Sequence, residues 1–202
     1  NQGYEVHIAT TISNELDSLK KNGLIVHPIN LNRSRTGLLS VISEFKEILD
    51  IIRIVAPNIV HLVTIKPVLL GGIASRILNV PAVVYAVSGL GYVFLKKGVI
   101  AFIIRKIIIY LYQLAFRHKN KCVIFQNDSD QLMLSKLSLL SSKEVELING
   151  SGVDLSVFTQ QSFDSGVPVI ILAARLLKDK GVKEFVEAAK LVNINNNRAR
   201  FA

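Results

Sequence analysis

Arg175 and Lys180 stand on either side of a short polar turn in the stretch Val169-Ile-Ile-Leu-Ala-Ala-Arg175-Leu-Leu-Lys-Asp-Lys180-Gly-Val182. The apolar run before Arg175 reads as a buried parallel strand. Beyond Gly181, the residues Val182, Phe185, Val186, Ala189 and Val192 recur at helical spacing, so a strand feeds a helix through a basic turn. Two cations beside a helix N-terminus suit a diphosphate, because they match its charge and the first backbone N–H groups face its oxygens. The same turn also reads as a solvated basic loop. Charge and spacing alone leave both open.

A second set of candidates gathers where earlier strands end. Ser88-Gly89-Leu-Gly91-Tyr92 follows an apolar run and holds Gly-x-Gly without the third glycine of the dinucleotide fingerprint. It reads as a tight turn, or as a loop whose bare backbone lets a ligand come close. Thr64 and Lys66 leave the run Asn58–Val63, and Lys66 either meets a phosphate or faces water. His61, inside that run, is a core histidine or a site residue. Asn127 ends another run and either lines a site or caps the next helix. Cys122 reads as a small core residue. A single cysteine excludes a disulfide framework, and it forms no metal-ligand spacing with the four histidines.

Strand, Arg, Lys-Gly and amphipathic helix together resemble the opening of the donor domain in family 4 glycosyltransferases. The preceding Ile148-Asn-Gly-Ser-Gly-Val-Asp154, with Phe158 shortly after, is similar to that family's interdomain segment. The likeness runs through nearly the whole chain and leans towards the bacterial surface-polysaccharide branch. Ala174 departs from it, standing where many relatives carry Gly. Val87 stands where many carry a histidine near the transferred sugar.

The resemblance implies an α/β fold. A Rossmann-like parallel sheet with helices on both faces would be followed by the beginning of a second Rossmann-like domain, the two facing each other across a cleft. Residues 1–148 would be the acceptor-side domain, 149–166 a linker, and 167–202 the first strand and helix of the nucleotide-sugar domain. It implies retaining, metal-independent transfer from a nucleotide-sugar donor, UDP-linked, to a lipid-linked or growing glycan, with no cofactor. Arg175 and Lys180 would be catalytic and, with Gly152, donor-binding. Thr64, Lys66, Ser88, Gly89, Gly91, Asn127 and His61 would serve the acceptor. Other readings are a sugar-nucleotide epimerase of the same fold and a non-catalytic membrane-associated binding subunit. The family's glycine-rich loop and its paired glutamates are not within these 202 residues, so the sequence reads as an internal piece expected to be inactive alone.

The elements that must position these residues follow from periodicity. Expected strands are Glu5–Ala9, Gly23–Ile29, Asn58–Val63, Ala82–Val87, Lys121–Gln126 and Val145–Ile148. Expected helices surround Asn14–Lys21, run from Thr36 as cap to Ile52 before Pro57, begin at Pro67 as first helical residue, and follow Asn127. Half the residues are apolar, enough for a sizeable core, and 24 Lys plus Arg against 15 Asp plus Glu leave a net charge of +9. That excess favours anionic partners. Among these, nucleic acid is the weakest candidate and is not expected, because the cations are scattered and no aromatic-interleaved basic motif appears.

Residues 98–117 are almost wholly apolar, broken by Arg105 and Lys106. Two central cations disfavour a membrane span. A helix with a narrow polar stripe of Lys106, Tyr110, Gln113 and Arg117, flanked by Lys96, Lys97, Lys119 and Lys121, reads as a core helix or as one docking on an anionic membrane surface. The lipid-linked acceptor that the resemblance implies favours docking, hence a cytoplasmic protein peripheral at the inner face of the plasma membrane.

Overall fold

A computed structural model describes residues 3–11, 16–31, 37–90, 94, 98–138, 140–150, 152–160, 166–177, 180–194 and 199–202. The chain separates into two compact units, 1–152 and 153–202. It is an α/β protein of parallel strands flanked by helices on both sides. The expected cap Thr36, the start of the first helix and Gly91 lie outside the described residues.

In the first unit, β1 (His7–Thr10), α1 (Leu16–Lys21) and β2 (Ile25–Pro28) form one parallel pair. Then come α2 (Leu38–Val55), β3 (Ile59–Val63), α3 (Ile65–Ile77), β4 (Ala82–Val87), α4 (Val99–Ala115), β5 (Lys121–Phe125), α5 (Asp128–Ser138), a 3-10 turn at Ser142–Glu144 and β6 (Val145–Leu147). The strands β3, β4, β5 and β6 make a four-stranded parallel sheet in that order. Parallel neighbours need a crossover, and α3, α4 and α5 supply it.

Alternation along the strands builds the core. Leu62, Val83, Tyr85, Val87, Val123 and Phe125 all point to one buried face, where Val68, Leu70, Ala74, Tyr112, Ala115, Phe116 and Leu134 join them. A one-residue slip would turn that whole set outward, so the register is strongly specified. Gly71 and Gly72 let α3 lie close: a Cβ on Gly72 would sit 2.7 Å from Tyr85 Cε1 and 2.8 Å from Ala115 Cβ. The Tyr85 hydroxyl donates to Ala115 O at 2.7 Å, so the largest buried side chain of β4 is satisfied. His118, buried after α4, staples two strand entries, with Nε2 2.9 Å from Val80 O and Nδ1 2.9 Å from Asn120 O.

Several expectations change. Pro67 is the third helical residue of α3, not the first, which costs nothing because the first four helical N–H groups have no intrahelical partner. α2 continues to Val55, and Ala56 in the left-handed region (φ 44°) closes it. Cys122 lies half-buried on the other sheet face, and burial pushes its thiol pKa up. Lys121 does not flank a membrane surface. It bonds Glu144 Oε1 at 2.5 Å and His118 O at 3.3 Å, with its side chain only 10 % exposed.

In the second unit, β7 (Val169–Ile170) pairs in parallel with β8 (Arg200–Phe201), and α6 (Val182–Ile194) connects them. The expected burial of this strand does not hold: Val169, Ile170 and Ile171 are all exposed. Two short strands and one helix offer little to cover them. The described apolar contact is the edge-to-face pair of Phe185 and Phe201, with ring centroids 5.6 Å apart.

Candidate active site

Parallel register carries the ends of β3 to β6 to one edge, because Val63 pairs with Ala86, Val87 with Phe125 and Phe125 with Leu147. Thr64, Lys66, Ser88, Gly89, Asn127 and the Ile148–Gly150 segment all emerge there. In open α/β sheets this edge is where ligands bind. The Thr64 N–H donates to Ala86 O at 3.3 Å and the Ile148 N–H to Phe125 O at 2.9 Å, so the departing loops are tied to the sheet. Thr64 holds φ 73° and ψ 165°, a region that only glycine occupies comfortably, while Gly89 has φ 146°. Ser88 is exposed and Leu90 is buried, so the loop is anchored just past its bare backbone.

The side chains are less uniform than their positions. Lys66 neither faces water nor stands apart: its Nζ lies 2.8 Å from Glu44 Oε1 and 2.7 Å from Oε2. Glu44 is 2 % exposed, and Ser40 Oγ also donates to it at 3.2 Å. A buried carboxylate needs such partners. Asn127 is the N-cap of α5, its Oδ1 accepting the Asp130 N–H at 2.8 Å and its Nδ2 donating to Asp130 Oδ2 at 2.9 Å. His61 is not a core histidine. It is exposed, on the sheet face opposite Leu62, and away from the loop ends. Val87 is 2 % exposed, so the position where the resemblance leads one to expect a histidine is core here.

In the second unit Arg175 lies five residues beyond the end of β7, and Lys180 is separated from α6 by Gly181 alone. The Leu177 N–H donates to Arg175 O at 2.7 Å and the Lys180 N–H to Leu177 O at 3.0 Å, which draws the turn together. Gly181, at φ 74°, accepts the Phe185 N–H at 2.9 Å and so begins the helix. Both cations are exposed, and among the described residues neither is engaged in an ion pair. Their charge and the positive end of a 13-residue helix suit an anion.

Gly152, at φ 71°, closes the first unit, and Asp154 just beyond it organises a turn. The Asp154 carboxylate accepts from Ser156 Oγ at 2.6 Å and the Ser156 N–H at 2.9 Å, which lowers its pKa. The Gly-Val-Asp segment therefore has a local conformational job.

Two cavities of about 290 Å³ are lined by none of these residues. One is at the amino-terminal edge, by Ala56, Pro57, Asn79 and Pro81. The other is between α4 and α5, with Phe102, Arg105, Met133 and Leu137 among its walls. Among the described residues no group of three or more His, Cys, Asp or Glu is placed to hold a metal ion.

Sequence reasoning missed Glu44. Its signal was available, since position 44 falls one helical turn before Ile48 on the inward stripe of α2. An acid on an apolar stripe asks for a buried cation.

A family model described as glycosyl transferase 4-like matches residues 1–127. The chain is 24 % identical over 206 aligned residues to N,N'-diacetylbacillosaminyl-diphospho-undecaprenol alpha-1,3-N-acetylgalactosaminyltransferase of Campylobacter jejuni. That alignment covers 96 % of this chain and 54 % of the relative, so the chain spans about half the relative's length. A glycosyltransferase of Rickettsia africae superposes with a TM-score of 0.57 at 17 % identity, over 96 % of this chain and 50 % of the other. MurG of Acinetobacter baumannii gives 0.48 at 14 % identity, over 93 % and 46 %. The Rickettsia structure bears on the fold alone, and the family follows from the match over more than half the residues: the chain belongs to the glycosyl transferase 4-like family.

Proposed function

We propose that the full-length protein transfers a sugar from a nucleotide-diphosphate donor to a lipid-linked glycan at a membrane surface, with retention at the anomeric carbon and without a metal. The observation that carries this is the Arg175–Gly181 turn feeding α6, in a chain of this family. The Campylobacter relative, whose name specifies transfer onto a diphospho-undecaprenol-linked sugar, supports the acceptor class.

In this reading the bond from the sugar's C1 to the diphosphate oxygen breaks, and its electron pair goes to the leaving diphosphate. Arg175, Lys180 and the first N–H groups of α6 stabilise that growing negative charge, which is electrostatic catalysis. The acceptor hydroxyl oxygen attacks C1, and its proton passes to the departing phosphate. Thr64, Ser88 and Gly89 serve the acceptor, and Gly152 serves the donor. Lys66 contributes through its fixed pairing with Glu44. The protein is peripheral at the inner face of the plasma membrane.

The test is turnover of the full-length protein with UDP-sugars and a polyprenyl-diphosphate-linked glycan. Each charge-assisted bond is worth about 1.5–3 kcal/mol. Arg175→Ala or Lys180→Ala is therefore expected to lower kcat/KM by about ten- to a hundredfold or more, with unchanged melting. EDTA should leave the rate unaltered, and the product's anomeric proton coupling should report the donor's configuration. Acceptor-independent interconversion of nucleotide sugars would sink the reading in favour of an epimerase, and nucleotide binding without any turnover would favour a binding subunit.

A further inference from the structure

Between Asp50 and Asp128 the chain carries ten Lys or Arg and not one Asp or Glu. The remainder carries fourteen cations against fifteen acids, so the whole positive excess sits in this block. Protein surfaces ordinarily intersperse the two signs.

α4 lies within the block and is turned the unusual way round. Ala101, Tyr112 and Ala115 are its buried residues, all on one side. The opposite side presents Val99, Ile100, Ile103, Ile107 and Tyr110, each more than half exposed. A surface helix normally gives its polar side to water. A contiguous exposed apolar stripe of this kind marks an interaction surface. Lys106 stands at its edge, 5.5 Å over the Phe102 ring, and Arg117 and Lys119 are exposed at its far end. The acids of α5, which also packs against α4, are Asp128 and Asp130 in its first turn, and α3 carries none. No described helix is long and apolar enough to cross a membrane.

We infer that the outward side of α4 docks on an anionic lipid bilayer, inserting Ile100, Ile103 and Ile107 while the exposed Lys106, Arg117 and Lys119 supply the attraction. Apolar insertion and basic charge are the two signals that stable interfacial binding combines. A protein partner would meet the same isoleucines. Exposed cations along α4 and its end, with no acid between Asp50 and Asp128 to offset them, fit a surface of uniform negative charge better than a mixed one.

The chain contains no tryptophan, so Ile103→Trp places a single reporter at the middle of the outward side. With vesicles containing phosphatidylglycerol its emission is expected to shift to the blue and to be quenched by brominated acyl chains. Phosphatidylcholine alone should do neither. Ile100→Asn with Ile107→Asn is expected to weaken co-sedimentation about tenfold or more at every salt concentration. Lys106→Gln with Lys119→Gln should weaken it at low salt and change little at high salt. Melting of both pairs should match the parent, because these side chains lie outside the core. No blue shift on anionic vesicles, or binding that survives both pairs, overturns the inference. Self-association that the asparagine pair abolishes while vesicle binding persists overturns it too. None of these readouts uses a nucleotide sugar, so the docking and the sugar transfer fail or stand separately.

Discussion

Glu44 is tolerated in the first unit because Lys66 reaches across from α3 to meet both of its oxygens. Removing one partner of a buried ion pair costs about 3–5 kcal/mol, whereas replacing both with apolar groups is often near neutral. Lys66→Met is therefore expected to lower urea-unfolding stability by that amount, and Glu44→Leu added to it should restore most of the loss. Additive costs would show that the two side chains do not depend on each other. Thr64 makes the opposite case: its backbone is strained by about 1–3 kcal/mol, and Thr64→Gly relieves that at a smaller entropic cost. The variant should be about 1 kcal/mol more stable, and a destabilised one would place the strain elsewhere. Much of this edge was legible in the sequence, since strand ends, a glycine pair and an Asn before a helix announce themselves by position. Glu44 was signalled only by its place on the inward stripe of α2, and the exposure of His61 was not signalled at all. Pattern reading scores an acid as outward and a histidine in an apolar run as inward, and both were decided by neighbours distant in sequence.

At the scale of elements, α3 meets the sheet through Gly72, where no methyl fits beside Tyr85 and Ala115. Overpacking a core typically costs about 1–3 kcal/mol, and Gly72→Ala should show a loss of that size in chemical denaturation. The 3-10 turn before β6 is held differently. Glu144 bonds Lys121, and its second oxygen accepts the Ser141 N–H at 2.9 Å, so its pKa falls from 4.5 to about 2. A carboxyl depressed by folding stabilises the protein above its ordinary pKa and loses that contribution as pH falls towards about 2. Glu144→Gln should therefore melt lower than the parent at neutral pH, with the gap closing in acid. A gap that did not change with pH would mean the charge on Glu144 is irrelevant. β4, α2 and α4 were readable because long apolar periods survive tertiary packing. The start of α3 and the burial of β7 were misread, because a helix start tolerates Pro in any of its first positions and burial depends on how many neighbours a strand has.

For the whole molecule, the contrast between the two units is one of core. The first buries a contiguous set from Ile29 to Leu134, while the second exposes most of its large apolar side chains. Residues 1–152 alone should melt cooperatively at the temperature of the 202-residue chain, because so small a second unit adds little. A much lower melting temperature would mean that the first unit leans on the second. The order β3-β4-β5-β6 has one more consequence. Each strand pairs with the one made just before it, and each crossover helix becomes available before the strand it precedes. Closing such short loops costs little entropy, so assembly can advance one strand at a time. On the ribosome this sheet can grow in the direction of synthesis, with β3 as its seed, and every added strand hides the edge its predecessor left open.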